Sequence, residues 1–229
     1  MLNLHGYGPS ILQGTILTIE LCLVSLVIAM LLGIITALGK LSGSRGLNLA
    51  ATAYTTIVRG IPDLVLMLLI FFGGQVVINQ LGPMVGYEEY IDINPFVAGV
   101  GTIGFIFGAY MAETFRGAIL SVPRGQLEAG YSYGMSRFQV FARILMPQMV
   151  RHAIPGFGNN WLVLMKTTAL VSIIGLNDMV RMAALAAGAT RMPFTFYLVV
   201  AMNYLILTSI SILILNWLNK KYSAGFVRD

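Results

Sequence analysis

The sequence predicts an all-α polytopic membrane protein, with five transmembrane helices in a single transmembrane domain over residues 1–229. Three observations carry that expectation. The residues are 57% hydrophobic and only 10% charged, with a mean hydropathy of +0.82, whereas soluble domains carry about 25% charged residues. Several apolar runs reach the roughly 20 residues that a helix needs to cross a bilayer. None of these runs alternates polar and apolar residues as the strands of a membrane barrel do. In lipid, backbone donors and acceptors must be satisfied within the segment itself, which leaves helices.

The first expected span is 11–38, where Gln13 and Glu20 are the strongly polar residues and Lys40 and Arg45 follow. It is too long for a signal-peptide core, and Met1 to Ser10 lacks the basic residues of a secretory leader. Cys22 lies alone inside this span; it can form no intrachain disulfide and reads as a small core hydrophobe. After the hinge Ser42-Gly43-Ser44, residues 47–79 form a second spanning unit, bent or broken near Pro62 because proline interrupts the helical ladder. Gln80 to Asn94 reads as a loop with Gly82, Pro83 and Gly86, and its charges are acidic: Glu88, Glu89 and Asp92. The third span, 95–120, opens on Pro95 and holds Glu113 and Arg116 in its last third.

A long polar interval, 121–150, follows, and the fourth span is expected at 154–174 with Trp161 and Lys166. Gly175 to Met192 is a mixed stretch with Asp178, Arg181 and Arg191, whose small-residue run Ala183 to Ala189 suits close helix packing. The fifth span, 193–218, ends at Lys220-Lys221. With the N-terminus outside, the inside holds Lys40, Arg45, Arg59, Arg116, Arg124, Arg137, Arg143, Arg151, Lys220, Lys221 and Arg228. The outside then holds only Arg181 and Arg191, together with the acidic loop. Loops rich in Lys and Arg stay cytoplasmic, so this arrangement is the expected one and residues 121–150 face the cytoplasm. The net charge of +5 follows from those loops and calls for no nucleic acid partner.

No energy-coupling chemistry is evident within the chain. Gly33 to Lys40 superficially resembles a phosphate loop, but five residues separate Gly33 from Gly39 and Leu41 follows Lys40, where a phosphate loop needs four and then Ser or Thr. No HExxH, CxxC or nucleophile-elbow pattern appears, and His5 and His152 stand apart. The chain is therefore expected to be no enzyme and to hold no cofactor or metal of its own. In 121–150, Pro123 suits a helix's first turn, Arg124 and Glu128 share a face, Glu128 reads as a buried carboxylate, and Gly134 ends the helix. A second helical piece from Ser136 to Leu145 stops before Pro147. The segment is either a knob for a soluble partner's socket or a solvated loop.

Glu128-Ala129-Gly130, Gly134 and Ile144-Leu145-Met146-Pro147 stand at the spacing of the EAA loop, and the segment resembles that loop of bacterial ABC importer permeases. Gly130 replaces the family's Ala, which loosens a helix by up to ~1 kcal/mol, and Met146 replaces its Leu. Gly14-Thr15, Thr18-Ile19-Glu20, Arg59-Gly60-Ile61-Pro62, Ala109 to Gly117 and Leu164 to Ser172 are similar to the polar amino acid subfamily, so the likeness covers most of the chain. The resemblance implies a type I importer permease in the bacterial inner membrane, N-terminus periplasmic and C-terminus cytoplasmic. It implies import of basic or polar amino acids, with histidine, lysine, arginine and ornithine foremost. It also implies partners: a related second permease, two ATP-binding cassette ATPase subunits that carry ATP and Mg, a periplasmic substrate-binding protein, and membrane lipid. The docking role falls on Glu128, Ala129, Gly130 and Gly134.

Ionisable groups inside spans are expensive and mostly functional. Glu113, Asp63 and Glu20 are the acidic substrate-pathway candidates, with Thr167 and Thr168 beside Lys166. Structural roles compete, since Glu113 can pair with Arg116 and Asp63 with Arg59 at helical spacing. The family often has Asp at the position of Thr167 and an apolar residue at that of Asp63, so the second permease becomes a candidate source of the main cation ligand. The rival reading is a stand-alone channel or gradient-driven carrier. No internal repeat or matched pair of interrupted helices supports it.

Overall fold

A computed structural model of the chain describes residues 4–86 and 89–223, and among these the regular structure is entirely helical. Glu88 and Arg228, counted above in the charge argument, lie outside the described residues. Helix α1 (Gly8–Leu41) has 34 residues, about 50 Å at 1.5 Å per residue. It exceeds the roughly 30 Å hydrocarbon core, so it must tilt or project from it. The expected second unit is two helices, α2 (Arg45–Gly60) and α3 (Asp63–Leu81). Between them Ile61 and Pro62 are extended, with ψ 138° and 135°. A 3₁₀ turn at Gly82–Val85 follows, then α4 (Pro95–Leu120), whose first turn is capped by Asn94 Oδ1 accepting from Phe96 N–H at 2.8 Å.

The remaining helices are α5 (Arg124–Ser132), α6 (Arg137–Val140), α7 (Met146–Thr167), α8 (Met179–Thr190) and α9 (Pro193–Ser223). The second helical piece does not stop before Pro147, contrary to expectation. A wide π turn at Phe141–Leu145 joins α6 to α7, and Pro147 sits in the first turn of α7. Its missing N–H thus falls where the i→i−4 ladder is already interrupted. The fourth spanning element also differs from 154–174: the α-helix ends at Thr167 and a 3₁₀ turn covers Thr168–Ser172. Among the described residues, Gly8–Leu41, Asp63–Met84, Pro95–Leu120 and Pro193–Tyr222 are long and apolar enough to cross a membrane. At 22 residues α7 has the length, but Arg151, His152, Asn159, Asn160 and Lys166 dilute its apolar content.

The core forms where α1 and α4 run parallel. The buried face of α1 is a ridge of mostly small residues about one turn apart: Gly14, Thr18, Cys22, Ser25, Ala29, Gly33 and Ala37. A Cβ at Gly33 would stand 2.6 Å from Met111 Cβ, and one at Gly104 would stand 2.6 Å from Ile28 Cγ2, closer than atoms can pack. Ile103, Ile106, Phe107 and Met111 of α4 are wholly buried around this seam. Helix α7 covers another side of α4 in antiparallel sense, with Asn160 Nδ2 donating to Thr114 Oγ1 at 2.9 Å. A smaller core joins the start of α1 to α8 and α9 through Ile11, Met179, Phe196 and Val200. Outward, Leu23, Val27, Leu31 and Ile35 of α1 and Leu205, Ile210 and Leu213 of α9 are exposed, a surface suited to lipid.

The seam makes a matched test within one helix. Gly104 touches α1, whereas nothing lies within 4 Å of a Cβ at Gly101. Gly104→Val is expected to destabilise the detergent-solubilised chain by about 1–3 kcal/mol through overpacking, and Gly101→Val to leave its thermal midpoint nearly unchanged. Equal effects at both positions would rule out the seam as the determinant.

Candidate functional site

The polar segment folds into a helical hairpin at the basic end of the bundle. After α4 ends at Leu120, Val122 is buried beneath the turn and Pro123 leads into α5. Helix α5 closes in a Schellman turn: Gly134 adopts φ +78°, Met135 N–H donates to Gly130 O at 3.1 Å and Gly134 N–H to Tyr131 O at 2.9 Å. Ser136 then starts α6 through a capping box, its hydroxyl accepting from Gln139 N–H at 3.3 Å while Gln139 Oε1 accepts from Ser136 N–H at 2.8 Å. Gln148 Nε2 donates to Gln126 Oε1 at 2.6 Å and fastens α5 to α7.

Gly130 is a contact point between the two limbs of the hairpin. It is buried, and a Cβ there would stand 2.7 Å from Ile144 Cδ1 and 3.1 Å from Val140 Cγ2. The lack of a side chain lets α5 lie close against the second limb. Glu128 is exposed, not buried, because the inward face of α5 is the one that carries Gly130. Among the described residues no ion pair joins Glu128 to Arg124. Ala129 and Gly134 are also exposed, so the tip of the hairpin is open to a partner. Sequence reasoning passed over two aromatic side chains beside it, Tyr133 at 90% and Phe138 at 76% exposure. Large rings presented this way suit anchoring in a protein pocket.

The substrate-pathway candidates do not converge. Glu113 accepts from Lys40 Nζ through Oε1 and from Arg116 Nε at 3.0 Å through Oε2. Its carboxylate therefore joins the last turn of α1 to α4, and the Arg116 partner is the one its spacing suggested. The Arg59–Asp63 pair is not formed, because the extended Ile61-Pro62 break takes the two residues off a common helical face. Arg59 instead places its guanidinium 5.4 Å from the ring centre of Tyr110. Thr167 and Thr168 are buried in this chain's own packing, their hydroxyls donating to Val163 O at 3.1 Å and Met165 O at 2.6 Å. Glu20 is exposed and lines an open hollow of about 380 Å³ with Gln13, Leu17, Asn177 and Met182. Lys166 is exposed on α7.

At the opposite end of α4 from the hairpin, two side-chain amides of α3 hold the segment before α4. Gln75 accepts from Ile93 N–H at 3.0 Å and donates to Ile91 O; Asn79 accepts from Ile91 N–H at 2.8 Å and donates to the same carbonyl at 2.9 Å. Their partners are 12 to 18 residues away, beyond any local sequence signal. Asp178 was nearer to hand: it stands just before an apolar helix and caps α8, its Oδ1 accepting from Arg181 N–H at 2.9 Å.

Residues 29–224 match the family described as the binding-protein-dependent transport system inner membrane component. The histidine/lysine/arginine/ornithine transport system permease protein HisQ of Escherichia coli (strain K12) is 49% identical over 225 residues, which cover 98% of each chain. The octopine transport system permease protein OccQ of Rhizobium meliloti is 40% identical, covering 90% of this chain and 87% of its own. Among solved structures, a crystal structure of an amino acid ABC transporter with histidines superposes with a TM-score of 0.81 at 32% identity, covering 94% of this chain and 95% of that one.

Gly130 sets helix propensity against packing. Replacing Gly by Ala in a helix gains about 1 kcal/mol, and the atom nearest the added Cβ is Ile144 Cδ1, the end of a side chain that can turn aside. Gly130→Ala is therefore expected to raise hydrogen-exchange protection of α5, and Gly130→Val, too large for the contact, to lower it by about 1–3 kcal/mol. Reduced protection in Gly130→Ala would mean that the contact with the second limb is the limiting one.

Proposed function

This chain belongs to the binding-protein-dependent transport system inner membrane component family, and from that premise we propose that it is the permease subunit of an ATP-driven importer of basic amino acids, histidine, lysine, arginine and ornithine among them. The observation that carries the reading is the hairpin at 121–150, a capped and cross-bonded knob with open aromatic rings on a chain that has no nucleotide-binding pattern of its own. The transport systems named for its relatives, histidine/lysine/arginine/ornithine and octopine, support the substrate class. In this reading the hairpin faces the cytoplasm and seats in a cleft of a separate ATPase, two copies of which hold ATP and Mg. A related second permease completes the translocation path, and a periplasmic binding protein delivers the amino acid near the N-terminal end of α1.

Helices α4 and α7 leave the two limbs of the hairpin, so closure of the ATPase pair displaces both against the rest of the bundle. Glu20 supplies a counter-charge for an ammonium or guanidinium group from the open side of α1, among the polar groups of Gln13 and Asn177. A bare cation in a low-dielectric path needs such a partner. Asp63 is the second acid of the proposed path. Lys166 is a fixed positive charge on α7 and repels a basic solute from its own stretch, which assigns the complementary carboxylates there to the second permease.

Reconstitution tests this reading. The assembled complex is expected to accumulate labelled basic amino acids in proteoliposomes only with ATP, and this chain alone to show no gradient-driven flux. Glu128→Arg and Tyr133→Ala are each expected to lower stimulated ATP hydrolysis about tenfold, the scale of losing one interface anchor. Glu20→Gln should raise the KM for uptake while assembly stays intact. Gradient-driven uptake by the single chain would overturn the assignment.

A further inference from the structure

We infer that Glu113 is a positioning residue that makes the hairpin, α4, the end of α1 and the start of α2 move as one body. The inference rests on the permease reading above and concerns how ATP hydrolysis is tied to transport, not where the amino acid binds. The seam of close contacts between α1 and α4 has its last glycine at Gly33, yet α1 continues to Leu41. Below Gly33, Ala37 is the buried residue of α1, and an alanine grips little. The Lys40–Glu113 pair crosses between the helices just there.

The pair is well placed to resist separation. The side chains of Lys40 and Glu113 are only 11% and 22% exposed, so water screens their attraction less than it would at the surface. Arg116 of the same helix already neutralises the carboxylate and holds Oε2, so the bond from Oε1 to Lys40 is an additional link whose effect is to join α1 to α4. Beyond it, Asn48 Nδ2 donates to Lys40 O at 2.5 Å and ties in the first turn of α2. That helix presents Asn48, Thr52, Thr56 and Arg59 on an exposed polar stripe. In the other direction α4 runs seven residues past Glu113 to Leu120 and into the hairpin through Ser121, Val122 and Pro123. A push on the hairpin therefore reaches the polar stripe of α2 through Glu113 and Lys40. Helix α2 also touches α4 directly, Tyr54 Oη donating to Phe105 O at 2.5 Å, so what the link adds is a grip on the last turns of α1 below the seam, which lag behind α4 without it.

The test is the ratio of amino acid transported to ATP hydrolysed. It uses the complete complex in proteoliposomes with its binding protein and labelled histidine, arginine and lysine. Glu113→Gln and Lys40→Met are each expected to lower the ratio about tenfold, within the 5–150-fold range usual for coupling between sites. ATP hydrolysis should stay within about twofold of the unmodified complex, and the KM for uptake should not change. The double variant is expected to be no worse than either single one, since both remove the same bond. Arg116→Gln, which spares the bond between helices, should keep the ratio. An unchanged ratio in Lys40→Met overturns the inference, and so does a raised KM with an unchanged ratio in Glu113→Gln, which would make Glu113 a substrate ligand. If Glu113→Gln fails to assemble, Lys40→Met decides the matter. If the unmodified complex shows no ATP-dependent uptake, the permease reading has failed instead.

Discussion

The distance between α1 and α4 sets the terms for the rest of the fold. In a bilayer, helices gain little from burying apolar surface against each other, because lipid tails are equally apolar; contact must come from close packing. Gly33 on α1 and Gly104 and Gly108 on α4 provide that closeness, each facing an atom that would collide with a Cβ. Because the two helices run parallel, one register serves the whole length, and α4 becomes the buried centre against which α2, α3 and α7 also pack. The same helix continues directly into the hairpin, so a force applied there arrives at the centre of the bundle rather than at its rim.

The outer surface divides by chemistry in a way that follows from this centre. The apolar side chains that α1 and α9 turn outward meet lipid without penalty. The polar stripe of α2 and the exposed Glu20 and Lys166 would be penalised there, and so they belong against water or protein. Their exposure sets these sides apart from the apolar ones of α1 and α9. The hairpin is a third kind of surface, polar in backbone context yet carrying Tyr133 and Phe138 outward.

Much of this was legible from local chemistry. Pro95, Pro123, Gly134 and Pro193 mark helix limits because each constrains the backbone by itself, and the apolar runs around them are long enough to be unambiguous. The limits of α7 were hidden, since a π turn lets a helix pass Pro147 and no residue announces such a turn. The small-residue ridge of α1 was readable as a three- to four-residue rhythm from Gly14 to Ala37 and went unread beneath the larger hydrophobes around it. The candidate site was harder. Glu113 and Lys40 lie 73 residues apart, and only the register of α1 on α4 brings them together. The Arg59–Asp63 pair failed for the converse reason: its spacing assumed a continuous helix across Pro62. Gly130 showed a third limit, because a propensity argument has no knowledge of Ile144 on the facing limb.

The Gln75 and Asn79 bracket has its own consequence. All four of its hydrogen bonds to the backbone of Ile91 and Ile93 are made by uncharged amides, which neither titrate nor depend on counter-ions. A carboxylate–ammonium clasp in the same place would loosen as the medium on that side turned acidic or saline. This one carries no charge for acid or salt to act on, so the hold on the start of α4 rests on neither.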